Sequence, residues 1–162
     1  MKKIGYLFVT ILLSLSCSDE KDCCSQIAGN NKLFEFSLVN QNGEDLLNEN
    51  TQNSYNTNNI KLYNLIDGEE ILINNPNSDS QNGYSIFEKD GLNLFRPFFK
   101  ESNLEISGII EWNPNKRDKI SLEMVQQSEN IKRLVKIKYN GEIVWNEETA
   151  TNPDNRYFQI VM

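Results

Sequence analysis

The chain has 162 residues, of which 38% are hydrophobic and 24% charged, with a formal net charge of −7. That length fits one domain with a real core, and the acidic balance excludes general nucleic-acid binding, which needs a basic surface against phosphates. There is no histidine, which removes Ser-His-Asp and Cys-His catalysis, imidazole acid–base chemistry and histidine-ligated zinc.

Lys2 and Lys3 precede an apolar run from Ile4 to Leu15, interrupted only by Gly5, Thr10 and Ser14. A basic start and an apolar stretch shorter than the roughly 20 residues of a membrane-spanning helix describe a signal peptide. The run ends in Ser14-Leu15-Ser16-Cys17. This resembles a bacterial lipoprotein signal, with small Ser16 before the cysteine and Leu13 and Leu15 flanking the place where leucine is usual. The resemblance implies cleavage before Cys17 and acylation of its thiol with fatty chains such as palmitate. Several chains anchor firmly, because each buried CH₂ contributes about 0.8 kcal/mol. Cleavage removes Lys2 and Lys3 and lowers the net charge from −7 to −9. The expected attachment to the membrane is therefore the lipid and not the acidic domain.

Ser18-Asp19-Glu20-Lys21-Asp22 follows. It resembles the acidic export signal, here Ser18, Asp19 and Glu20, that sends lipoproteins of the Bacteroidetes to the exterior face of the outer membrane. A charged tail of this kind also serves as a solvated tether. Cys23 and Cys24 are adjacent, and neighbouring cysteines close only a strained ring. No CxxC pair or Cys/His cluster accompanies them, so they read as tail thiols and not as a zinc site.

Strands are expected from Leu33 onward. Phe34, Phe36 and Leu38 alternate with Glu35 and Ser37, and Asn40 to Gly43 supply a turn. Residues 48–59 read as a polar loop with Tyr55 its one large apolar residue. Asp67-Gly68 between two apolar runs marks a hairpin, because a type I′ turn needs φ > 0 twice. Residues 74–83 form a second polar loop. Lys89-Asp90-Gly91 marks another hairpin, whose second strand Pro97 places at an edge or at its end. Leu104, Ile106, Gly108, Ile110 and Trp112 share one strand face; Ile120, Leu122 and Met124 share another. Ile131, Arg133, Val135, Ile137 and Tyr139 alternate with Lys132, Leu134, Lys136 and Lys138, then Asn140-Gly141 turns into a strand ending at Trp145. Arg156 to Val161 closes the chain. No sustained helical period occurs, so the expected fold is all-β, a single antiparallel β-sandwich of immunoglobulin-like or transthyretin-like type, with a small β-barrel as the alternative. The expected boundaries are a signal peptide at 1–16, a flexible acidic tether at 17–31 and the sandwich at 32–162. The runs FSLVNQNGEDLLN, NIKLYNL, IIEWNP and YNGEIVWN, with the acidic Cys-Cys tail, resemble small surface lipoproteins of the Bacteroidetes, a resemblance that implies a β-sandwich but no activity.

Four residue groups are candidate sites. Asn75, Asn77 and Asp79 have the alternating oxygens of a calcium loop, but Ser80 and Ile86 stand where that loop needs its glycine and bidentate glutamate. Paired carboxylates at Glu69, Glu70, Glu105 or Glu111 would suit glycoside hydrolysis if a cleft held two of them together. Lys132, Lys136 and Lys138 would share a strand face with an anion-binding stripe, Arg133 beside them. Tyr55, Trp112 and Trp145 are the candidate binding residues, since aromatic faces stack on the C–H faces of sugars; Tyr84, Tyr139 and Tyr157 are further aromatics, and core packing competes for all of them. No catalytic residue, metal site or cofactor is expected. The chain reads as a non-enzymatic, surface-exposed binding lipoprotein for a glycan or protein. An accessory subunit of an outer-membrane complex and a carboxylate-based hydrolase are the alternatives.

Overall fold

The computed structural model describes residues 33–101 and 103–162. The expected signal peptide, Cys17, the Ser18-Asp19-Glu20 export signal and the Cys23-Cys24 pair lie outside the described residues. Ten strands make up the fold: β1 (Glu35–Val39), β2 (Lys61–Ile66), β3 (Glu69–Leu72), β4 (Tyr84–Lys89), β5 (Leu92–Pro97), β6 (Glu105–Asn113), β7 (Lys116–Ser128), β8 (Ile131–Tyr139), β9 (Glu142–Asn146) and β10 (Tyr157–Val161). They form a four-stranded sheet in the order β10-β1-β5-β4 and a six-stranded sheet in the order β3-β2-β6-β7-β8-β9. Neither sheet closes on itself, so the fold is a β-sandwich and not a barrel. No helix of the described residues is long and apolar enough to cross a membrane.

The hairpin turns follow from local chemistry. Asp67-Gly68 has φ of 51° and 86°, Asp90-Gly91 of 53° and 81°, and Asn140-Gly141 of 50° and 91°. Both central residues are left-handed in each, as a two-residue I′ turn requires. Lys89, expected in the second turn, still belongs to β4. Pro97 ends β5, which lies between β1 and β4 and is not an edge strand. All pairings are antiparallel except β1 with β10, where Phe36 sits opposite Phe158 in parallel register.

The core lies between the sheets. Phe36 is fully buried and meets Phe158 at 5.2 Å, Phe95 at 5.4 Å, Tyr139 at 6.1 Å and Trp112 at 6.2 Å between ring centroids. Contacts of this kind add about 0.5–1.5 kcal/mol each beyond the burial of area. Leu104, expected on the apolar face of β6, precedes the strand and is 43% exposed.

Two carboxylates of the described residues are buried, Asp45 and Asp118, and the more deeply buried is Asp118. Asp118 heads the inner face of β7, ahead of Ile120, Leu122 and Met124, and is 2% exposed. Its Oδ2 accepts hydrogen bonds from Trp112 Nε1 (2.7 Å) and Tyr139 Oη (2.6 Å), and its Oδ1 from Asn140 Nδ2 (2.8 Å). Lys116 Nζ lies 3.2 Å from Oδ1. A break in the β6–β7 register leaves Trp112 unpaired between Glu111 and Asn113 and directs its indole to this carboxylate. Burial pushes the Asp118 pKa up, but the bonds from Tyr139, Asn140, Lys116 and Trp112 outweigh it and hold the group below the usual carboxylate range.

Gly108 has a packing role of its own. A Cβ there would lie 2.0 Å from the Phe99 ring, which covers the bare backbone of β6. Gly108→Ala is therefore expected to destabilise the fold by about 1–3 kcal/mol through overpacking, and Gly108→Ala with Phe99→Leu to recover part of the loss in urea unfolding. Asp118→Ala removes the partner of four donors, Trp112, Tyr139, Asn140 and Lys116, and is expected to cost about 3–5 kcal/mol. Because the folded-state pKa of Asp118 is depressed, its stabilisation is complete above the unfolded carboxylate pKa of about 3.9 and is lost as pH falls through the lower folded value. Glu111 and Glu123 shift the same way, so the readout is a comparison: Asp118→Asn should lose less stability than the wild-type protein between about pH 5 and pH 2.

Candidate functional site

Of the three candidate binding aromatics, Trp112 and Trp145 lie in the core and Tyr55 is packed against it, partly buried. Trp112 is fully buried, and Tyr55 packs against it at 5.5 Å between centroids while its amide donates to Leu46 O. Burial pushes the Tyr55 pKa up, with the negative charge of Asp118 adding to it. Tyr55 is a plug that ties the 48–59 loop to the sandwich. Trp145 is 6% exposed, lies away from the other two on β9, and is covered by the Arg156 guanidinium at 5.8 Å. Trp112 and Trp145 present no face to a sugar, since large rings on inward strand positions gain more from the interior, whereas Tyr55 is half-buried in its loop.

The other candidate groups are dispersed or neutralised. Glu111 accepts from Lys61 Nζ (3.0 Å) and Tyr63 Oη (3.2 Å), with Arg117 Nε 3.5 Å away, and Arg117 also pairs with Glu70. The Lys61 bond lowers the Glu111 pKa against the effect of burial, so this carboxylate is held ionised. Glu105 faces Glu123 across β6 and β7, and Glu69 is exposed on β3.

The basic stripe is broken by a register shift. Glu123 pairs with Lys136 but Met124 with Leu134, which leaves Val135 as an extra residue on β8. Leu134 and Ile137 both point into the core, so Lys132 falls on the opposite face from Lys136 and Lys138. Lys132 pairs with Glu101, Arg133 with Glu147, and both Lys136 and Lys138 with Glu123. Residues 75, 77 and 79 lie in a loop closed on itself by Asn75 N to Gln81 O and Ser78 N to Asn75 O. Among the described residues no group of three or more Asp, Glu, Cys or His side chains stands together to hold a metal.

What the fold does bring together is a pair of hollows between the two long polar loops. On one side a short 3-10 turn, Thr57–Asn59, is capped by Asn56, whose Oδ1 accepts from Asn58 N. Tyr84 Oη donates to Thr57 O (2.6 Å) and pins this turn to β4. On the other side the 74–83 loop leaves β3 through Ile73, which donates to Leu62 O, and returns at Gly83. Gly83 has φ of +77°, and a Cβ there would strike Ile73 at 2.5 Å, so only glycine fits. The first hollow, about 420 Å³, is lined by Asn58, Asn59, Lys61, Leu72, Asn74, Asn82 and Glu111 among others. The second, about 470 Å³, adds Thr57, Asp79, Ser80, Gln81, Tyr84 and Ile86, and shares Asn58 and Asn82 with the first.

Two sets of asparagines contrast with each other. Asn40, Asn48, Asn56, Asn113, Asn146 and Asn152 each accept, through Oδ1, the backbone N–H two residues on. These are the turn-forming asparagines. The side-chain amides of Asn58, Asn59 and Asn74 make no hydrogen bond to any described residue, and all three line the first hollow. Each offers two donors and an acceptor. Their sequence signal, the pairs Asn58-Asn59 and Asn74-Asn75, is also a turn signal, so composition alone does not separate recognition from geometry. No family model, curated protein or solved structure matches the chain.

Proposed function

We propose that this chain is a non-catalytic binding protein, held by a lipid on Cys17 at the exterior face of the outer membrane, that takes its ligand in the cleft between its 57–59 turn and its 74–83 loop. The observation that carries the binding role is the set of unpaired amides of Asn58, Asn59 and Asn74 around one hollow. Polar side chains that bond nothing in their own fold are available to a ligand, and loops fixed to a rigid sandwich are where recognition residues sit. A neutral glycan suits the cleft, because sugar hydroxyls donate and accept as the amides do. The single carboxylate of the first hollow, Glu111, is committed to Lys61, which favours binding over acid–base chemistry. The lipid anchor and surface display rest on the likeness of residues 14–22 to lipoprotein signals.

A second reading has one observation behind it. β3 is an edge strand whose Ile71 and Leu72 are 47% and 49% exposed. An exposed apolar edge is a surface on which another chain can add a strand, as an accessory subunit of an outer-membrane complex would use it.

On an array of glycans the mature protein is expected to retain neutral sugars. Asn58→Ala and Asn74→Ala should each weaken binding about tenfold, the equivalent of one lost hydrogen bond of about 1–1.5 kcal/mol, with the unfolding midpoint unchanged. Silence across the array, with one outer-membrane protein co-purifying through β3, would favour the second reading. Cys17→Ala should release the protein from the membrane fraction. Protease added to intact cells should remove the wild-type protein and spare a variant carrying Asp19→Ala, Glu20→Ala and Asp22→Ala.

A further inference from the structure

We infer that the two hollows work as one trough, bridged at Asn58 and Asn82, that holds an uncharged oligosaccharide segment of more than one sugar unit. This rests on the glycan reading of the cleft and adds the length and charge of the ligand. Three observations carry it.

The first is continuity. Asn58 and Asn82 line both hollows, so the two adjoin at these side chains and a ligand crossing from one to the other passes over them. Each hollow, at about 420 and 470 Å³, is by itself within the range of small-molecule sites, about 300–1,000 Å³. A single sugar would leave one of them to water.

The second is charge. Three charged side chains line the trough: Lys61, Glu111 and Asp79. Lys61 and Glu111 satisfy each other at 3.0 Å, which leaves no unpaired cation to face a carboxylate or sulfate. Asp79 and the net charge of −7 repel an anionic chain further.

The third is the chemistry of the walls. Asn58, Asn59 and Asn74 bring free amides to one half, while Ser80 and Gln81 bring further polar groups to the other. The apolar lining is split, with Ile60, Leu72, Ile73 and Pro114 in one half and Tyr84 and Ile86 in the other. That arrangement suits sugar C–H faces between hydrogen-bonded hydroxyls.

The experiment is calorimetric titration of the mature chain with neutral oligoglucosides and oligomannosides of one to five units, oligogalacturonides of matching length, and a mixed library of extended hexapeptides. At least one neutral series is expected to gain about tenfold in affinity between one unit and three, then to level off. Asn58→Ala should abolish that gain, because it removes the bridge, whereas Asn74→Ala should weaken all lengths alike. A ligand that binds equally well as one unit and as four, or an oligogalacturonide that binds more tightly than its neutral counterpart, overturns the inference while leaving the cleft a glycan site. Hexapeptides that bind, with Asn58→Ala abolishing their binding, overturn it and the glycan reading together, as does silence from every sugar. Unchanged unfolding midpoints in both variants tie each result to the trough and not to folding.

Discussion

The buried carboxylate of Asp118 is the constraint on which the arrangement of the six-stranded sheet and its loops depends. A charge at 2% exposure is costly unless fully bonded. Here the partners come from β6 through Trp112, from β7 itself through Lys116, from the end of β8 through Tyr139 and from the following turn through Asn140. Three strands and a turn are thereby fixed in one register. The same constraint reaches the candidate site by packing. Trp112 holds Tyr55, Tyr55 holds the 48–59 loop, and that loop ends in the 3-10 turn that forms one wall of the trough. A loss at Asp118 is therefore felt in the loop before any residue of the trough is touched.

The two sheets differ in width, and the consequences are visible at their margins. Four strands cannot cover six, so the larger sheet needs other cover. Phe99, from the segment after β5, supplies it by lying on Gly108. β3 has no such cover and keeps Ile71 and Leu72 in solvent. Its shortness, four residues, is the usual way an edge strand limits unwanted pairing. The outer face next to it carries the ion-pair chain from Lys61 to Glu111, Arg117 and Glu70. This network links β2, β3, β6 and β7 across the surface and keeps the edge in place.

Local features were legible in the sequence and non-local ones were not. The Asp-Gly and Asn-Gly turns could be read directly, because the left-handed backbone they demand is a property of two residues. The sandwich class followed from alternation and turn spacing. The parallel pairing of β1 with β10 joins segments about 120 residues apart in the chain, and no local pattern encodes it. The extra residue at Val135 reverses the faces of β8, so strict alternation misplaced Lys132. Asp118 extends the Ile120-Leu122-Met124 face by one position, yet a carboxylate on an inner face contradicts hydropathy and shows itself only once its partners are in place. Tyr55, Trp112 and Trp145 were read as candidates for binding because type alone does not distinguish a buried ring from a presented one. The trough asparagines were hidden for the opposite reason: their neighbours Asn40, Asn48 and Asn56 use the same side chain to build turns.

The proposed amide-lined trough sets a scale for its own affinity. Each hydrogen bond made on binding displaces water and nets about 0.5–1.5 kcal/mol, and association itself costs several kcal/mol. Three or four such bonds leave a weak single site. Weak sites become effective when many are held on one surface and the ligand is a repeating chain, because the second contact is then intramolecular. The proposed lipid on Cys17 would supply that surface, since it would confine the copies to two dimensions. On the proposed reading, a repeating neutral polymer and a membrane-bound set of shallow sites suit one another, because no single contact then has to be strong.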